Sequence, residues 1–471
     1  MSPTLGDYPP EPEAPAAADR GSTGFPQGRT RLSSSELRRS LFLITIAWGV
    51  FGTIWSNTVT GAPFAAFARA LGATDVVFGV LMGAPVVGVL GQILGAYLIG
   101  RLKSRRRAFL WCFTPQRLLW IAVAGLPWVI GAAFPNLRLA VLVVIVFASS
   151  LLSHAGSNSW MDWTADIIPP RIRGRYLGTR MRLATAVGVA GAAIAGLLLD
   201  WNSSFLMYSA VFAVASLLGT TDILLFHFIP EPPLRTRKWA GVVGTLAAPF
   251  RDSHFRRYLC YCASEGLAFG IVVPTFWLFA LEYLNLGKFL SNLYLVVLPA
   301  VLMAVTVAWW GRIVDRYGCR PVILLNSGLL ILLPFVWVFT RPQWHFLLVM
   351  HGLMGGIFGG ALTIADFNLL YRMPPARQRP AYLAVAFMVA GIAGGLGPII
   401  GGTISQCLSG FARDVGPLHL TGLHVAFLVS AAARCVHAFL IAPCLREAGA
   451  LSAWRLVSDM IFRPVSRALR G

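Results

Sequence analysis

The chain is 471 residues long, 56% hydrophobic and only 12% charged, where a soluble domain carries about 25% charged residues. With a mean hydropathy of +0.69, so much apolar surface cannot be hidden in a water-soluble globule, whose exterior must be largely polar. The net charge of +20 is spread over short connections and tails, which excludes a folded basic domain of the kind that grips nucleic acid.

Residues 1–40 are rich in Pro, Ala, Gly and Ser and hold no apolar run, the composition of a disordered tail. No apolar stretch of a signal peptide precedes residue 41. Apolar segments then recur at 41–67, 75–99, 108–134, 137–160, 175–199, 203–229, 259–284, 288–310, 321–340, 344–371, 380–408 and 419–445. Each is long enough to cross a hydrocarbon core of about 30 Å as a helix. The expected fold is therefore an all-α integral membrane protein with twelve transmembrane helices, numbered here as segments 1 to 12.

Among the 39 Lys and Arg residues, those at odd-numbered connections are Arg69, Arg138, Lys288, Arg341 and Arg413, while Arg117 and Arg434 fall inside segments. The others flank even-numbered connections or lie in the tails. By the positive-inside rule, the even-numbered connections and both termini face the cytoplasm. The last stretch, 446–471, mixes Trp454, Val457, Ile461 and Phe462 with arginines, the pattern of a basic amphipathic helix lying on the cytoplasmic membrane face. The seven cysteines show neither disulfide nor zinc spacing.

The connections repeat. GRLKSRRR (100–107) follows segment 2 and GRIVDRYGCR (311–320) follows segment 8. DIIPPRIRGRY (166–176) follows segment 4 and LLYRMPPARQRPAY (369–382) follows segment 10. The members of each pair stand about 205–211 residues apart. This spacing indicates a duplication with both copies in the same orientation: a bundle at 41–229, a linker at 230–258 and a second bundle at 259–445. The loop at 311–320 resembles the signature loop of the major facilitator superfamily, G-x-x-x-D-R-x-G-R-[KR]. Gly311, Asp315, Arg316, Gly318 and Arg320 match, and Cys319 stands where Arg or Lys is common. The first copy keeps Gly100 but has Ser104 in the aspartate place. The resemblance implies two pseudo-symmetric six-helix bundles working by alternating access. Helices 1, 4, 7 and 10 then line the central cavity, with 3, 6, 9 and 12 supporting it.

It also implies that Asp315, with Arg316, faces the start of segment 5, where Arg173, Arg175, Arg180 and Arg182 cluster. A contact there would gate the cytoplasmic side in one state; a plain helix cap is the other reading of Asp315. Ionisable groups inside membrane helices are costly and so are functional candidates. Glu265, two turns into segment 7, is the candidate for proton coupling, against a purely structural bond to a neighbouring helix. By analogy with the cavity helices, Trp55, Asn57, His154, Asn158 and His351 are substrate-cavity candidates, against interhelical hydrogen bonds. Asp222, Arg117 and Arg434 are expected to pair structurally, and Asp162, Asp166 and Asp366 to pair with loop arginines. GIAGGLGPIIGG (391–402) suits close helix approach, and Pro63, Pro85, Pro274 and Pro299 mark candidate kinks.

The expected activity is secondary active transport of an unidentified small solute, coupled to protons. The alternative is a transporter-like scaffold or sensor that recruits partners without transport. No nucleotide loop or metal cluster is present in the sequence, so neither an enzyme nor a cofactor is expected. The expected partners are the solute, protons and the lipid bilayer, with no nucleic acid. The chain is expected as a monomer in a bacterial inner membrane, with both termini cytoplasmic.

Overall fold

A computed structural model describes residues 33–232, 242–375, 378–416 and 418–468. The tail up to residue 32 and the basic run 233–241 of the expected linker lie outside the described residues. Among the described residues, twelve helical spans are long and apolar enough to cross a membrane. Spans 1 to 6 are Ser34–Ala70, Asp75–Leu102, Arg105–Val129, Pro135–Thr164, Tyr176–Trp201 and Phe205–Phe228. Spans 7 to 12 are Ser253–Tyr283, Lys288–Tyr317, Cys319–Phe339, Pro342–Arg372, Ala381–Cys407 and Gly422–Cys444. Side-chain caps start several of them. Ser33 and Glu36 form a reciprocal capping box on span 1, and Ser104, Ser204 and Asp252 accept from the first free N–H groups of spans 3, 6 and 7.

The spans form two six-helix bundles. In the first, Trp120 packs edge-on against Trp55 and Phe64, and Phe109 packs between Trp163 and Phe226. In the second, Trp337 stacks on Phe427 and against Phe276. We call the end of the molecule where the chain enters span 1 the terminal face, and the opposite end the far end. The terminal face holds the connections after even-numbered spans. The helix Val242–Arg251 packs there against spans 11 and 7, and the C-terminal helix Ala453–Ala468 packs against span 9. That C-terminal helix is anchored on protein: Leu456 is fully buried, and Tyr317 donates to Asp459 at 2.9 Å. At the far end a short antiparallel hairpin, β1 (Ala412–Val415) and β2 (Leu418–Thr421), joins spans 11 and 12.

Several spans are not uniform helices. Span 1 breaks at Gly61, and Pro63 opens the turn that follows. Pro85 lies on a tight turn, Ala84–Val87, whereas Pro274 sits inside an unbroken helix. Wide π turns occur at Ala47–Gly52, Phe279–Tyr283, Leu293–Val297, Met354–Phe358 and His437–Ile441. An extra residue per turn re-aims the side chains around it. Two of these turns, Ala47–Gly52 and His437–Ile441, bear on the sites described next.

Candidate functional site

The two bundles are tied together at the far end. Arg69 of span 1 pairs with Glu282 of span 7, and it also holds Asp75 at the start of span 2. Asp75 in turn accepts from Ser405 of span 11, and its N–H donates to Gln406 at 3.1 Å. Asp200, ending span 5, accepts from the backbone N–H groups of Lys288 and Phe289 at 2.7 and 3.0 Å. Asn292 of span 8 accepts from the Ala62 N–H at 3.0 Å and donates to the Ala192 carbonyl at 3.2 Å. Beneath this layer the glycines of GIAGGLGPIIGG let spans 2 and 11 touch backbone to backbone. A Cβ on Gly79 would meet the Pro398 carbonyl, and one on Gly395 would meet Val86.

At the terminal face, among the described residues, the hydrogen bonds and ion pairs of the repeated loops stay inside one bundle. Asp315 lies in the last turn of the helix that ends span 8, and Gly318, at φ 91°, reverses the chain after it. The cap reading of Asp315 is therefore corrected: it sits at a helix C-terminus, where the dipole disfavours an acid. Glu447, just after span 12, supplies the cap. It accepts from the Arg320 N–H at 2.7 Å, at the start of span 9, and stands 3.5 Å from Arg372. Arg372 also reaches Asp315 at 3.9 Å, across a carboxylate that is 75% exposed. The first bundle repeats the device. Glu231, just after span 6, accepts from Ser104 Oγ at 2.7 Å and from the Arg105 N–H. Arg105, buried, then pairs with Asp162 and Asp166 of span 4 at 3.1 and 2.8 Å. Neither glutamate stood out in the sequence. Their matching places, directly after the last apolar run of each half, are the signal that the duplication carries.

Within the second bundle Glu265 is partly exposed and stands 3.1 Å from His437 Nε2 and 3.9 Å from Arg434, both buried on span 12. Glu265 Oε2 nonetheless has no hydrogen-bond partner among the described residues. His437 opens one of the π turns, and its Nδ1 lies 2.8 Å from Ser264 Oγ. The Tyr261 ring packs against the His437 ring, and its hydroxyl donates to Asp366 at 2.8 Å. Asp366 thus has a tyrosine partner rather than the expected loop arginine.

Two cavities meet at Trp48. One, of about 220 Å³, lies between the bundles, lined by Asn57 of span 1, Thr185 and Gly188 of span 5, and Val296 and Ala300 of span 8. The other, of about 260 Å³, lies inside the first bundle between spans 1, 3, 4 and 6. Trp55, Trp160, Arg117 and Asp222 are among its walls. The π turn Ala47–Gly52 positions this wall, because Gly52 leaves room for Asp222: a Cβ there would come within 2.6 Å of its carboxylate.

A sequence model of the Major Facilitator Superfamily matches residues 40–398. The chain belongs to that superfamily. A relative is the multidrug resistance protein MdtG of Dickeya zeae (strain Ech586), 29% identical over 176 residues, covering 36% of this chain and 41% of that one. The match thus spans about two fifths of the relative's length. Among solved structures, the nucleoside transporter NupG superposes with a TM-score of 0.65 at 15% identity, covering 88% of this chain and 99% of that one. A bacterial homologue of the iron transporter ferroportin superposes at 0.62 in its inward-facing state and 0.54 in its outward-facing state. The two comparisons show 13% and 16% identity, covering 88% and 87% of this chain and 99% of that one.

In this major facilitator chain the sequence candidates separate. Asn57 lines the cavity between the bundles, and Trp55 lines the one inside the first bundle. Arg180 is buried beside the rings of Trp48 and Trp160, at 5.0 and 5.2 Å, away from Asp315. Arg316 is exposed, its guanidinium over Tyr317. The side chains of Arg173 and Arg175 lie outside the described residues. His154 and Asn158 turn towards span 2, where Asn158 donates to the Gln92 carbonyl at 2.8 Å and His154 packs on Gly88. His351 is buried and accepts from Trp337 at 3.0 Å. Arg117 pairs with Asp222 at 3.0 Å, a contact between the supporting spans 3 and 6.

Proposed function

We propose that the chain is a proton-coupled secondary transporter that carries a small solute by alternating access. In this reading the structure is the state closed at the far end and open at the terminal face. The observation that carries it is the one-sided distribution of inter-bundle bonds: among the described residues, those hydrogen bonds and ion pairs lie at the far end. The excess of Lys and Arg at the terminal face supports a cytoplasmic terminal face with both termini inside, in a bacterial inner membrane. The multidrug resistance name of the relative favours export as the working direction.

Glu265 is the proposed proton site. Its charge attracts Arg434 and His437, and a proton on it removes that attraction and loosens span 7 from span 12. The test uses purified chain in liposomes under an imposed pH gradient, assayed against a solute library. Solute flux should rise with the gradient. Glu265→Gln should remove that dependence while solute exchange without a gradient continues. Flux that follows the gradient equally in Glu265→Gln would overturn the assignment.

A further inference from the structure

The cavity inside the first bundle is built for a ligand of definite chemistry. Three buried polar atoms of its wall residues have no hydrogen-bond partner among the described residues, Trp55 Nε1, Trp160 Nε1 and Asp222 Oδ1, and a fourth, Arg180 Nη1, lies behind the wall against the Trp48 and Trp160 rings. Buried polar groups are nearly always paired, and leaving one unpaired is costly. Asp222 is fully buried and Arg180 is 6% exposed. Three such atoms in one cavity wall, with the Arg180 guanidinium directly behind it, therefore mark a recognition surface.

Their kinds specify the ligand. Three are donors and one is a carboxylate oxygen. The single carboxylate of Asp222 pairs with Arg117 and also acts electrostatically on Arg180. The two arginines leave the surroundings with one positive charge in excess. The remaining wall is aromatic: the Trp48 and Trp160 rings lie 6.2 Å apart at 30°, and Phe109 and Phe113 complete it. Flat π surfaces receive flat rings, and the guanidiniums already lie against the indoles, with Arg117 at 3.6 Å over Trp55.

We propose that this cavity binds a flat aromatic carboxylate bearing a hydroxyl or amino group. The carboxylate meets Arg180 and the indole N–H groups, and the hydroxyl or amine donates to Asp222 Oδ1. As the substrate class of the transporter this rests on the transport reading; as a binding site it does not. Trp48, shared with the cavity between the bundles, separates the site from the inter-bundle space and is the side chain that must turn for a ligand to pass.

The test is calorimetric titration of the purified full chain in detergent with salicylate, benzoate and 2-hydroxybenzyl alcohol. Salicylate should bind at one site per chain. Benzoate, lacking the donor, and 2-hydroxybenzyl alcohol, lacking the carboxylate, should each bind at least about tenfold more weakly. Arg180→Met should weaken salicylate at least about tenfold and leave the alcohol unchanged. Ser153→Phe, which fills the cavity without altering a charge, should abolish binding of all three. Equal binding of the three probes, or salicylate binding untouched by both variants, would overturn the proposal. Silence of all probes in a chain that still moves another solute in liposomes overturns the ligand class and leaves the transport reading standing. Binding without any transport does the reverse.

Discussion

Glu447 accepts from the Arg320 N–H at 2.7 Å and faces Arg372 at 3.5 Å, so one largely buried carboxylate ties span 12 to spans 9 and 10. Asp315, the residue that the sequence motif singles out, shares Arg372 only at 3.9 Å and is 75% exposed. An exposed pair of that kind contributes about 0–1 kcal/mol, whereas loss of a helix cap costs roughly 0.5–2 kcal/mol. Glu447→Ala should therefore lower the unfolding temperature of the purified chain, and Glu231→Ala should do the same in the first bundle. Asp315→Asn should leave that temperature unchanged. If Asp315 instead acts as a gate in another state, Asp315→Arg should shift the distance distribution between spin labels placed on the two bundles at the terminal face. No shift would remove the gate reading. The motif was legible because charge stands out in an apolar chain. The two glutamates were not, because a carboxylate in an ordinary loop shows its purpose only through the helix start that it caps.

At the scale of elements, the number of the spans followed from apolar length. Their limits did not in every case, since span 1 starts at Ser34 inside the expected tail and span 7 at Ser253 inside the expected linker, and their faces did not. A span that is apolar all round carries no periodic signal of which side meets lipid, a neighbour or a cavity. His154, Asn158 and His351 were placed by analogy for that reason, and the π turns that re-aim Trp48 and His437 leave no mark in the pattern. The glycine run of span 11 was legible as close packing. What it did not disclose is that Gly79 and Gly395 form a seam between bundles, with span 2 on one side and span 11 on the other. Such a seam must open if the far end opens. Overfilling a packed contact costs about 1–3 kcal/mol, enough to move a two-state balance by roughly 5- to 150-fold. Gly79→Val should accordingly populate a state with the far end parted, read as a longer spin-label distance across spans 2 and 11. Gly391→Ala, at a position where a Cβ meets nothing within 4 Å, is the matched control and should leave the distance unchanged. Equal distances in both variants would mean that the seam does not report the closed state.

For the whole molecule, composition, charge placement and the repeated loops were sufficient for a twelve-span, two-bundle architecture. They could not give the conformation, because on the transport reading one sequence encodes both ends of a cycle and only packing selects between them. The far-end contacts make that selection testable. A Cβ on Gly287, at the start of span 8, would stand 3.1 Å from Asp200 Cγ at the end of span 5, so cysteines at these two positions are placed to form a disulfide. The experiment needs a background in which the seven native cysteines are replaced. The bond would join the bundles across the contact that alternating access must break. Oxidised Asp200→Cys/Gly287→Cys protein in liposomes should lose solute flux, and reduction should restore it. Each single variant should transport under both conditions, which separates the crosslink from the loss of the Asp200 cap. The bond should form readily in membranes without solute, since this is the structure's own state. Full flux through protein shown to be fully crosslinked would mean that the far end does not part during the cycle, and alternating access between these bundles would fall with it.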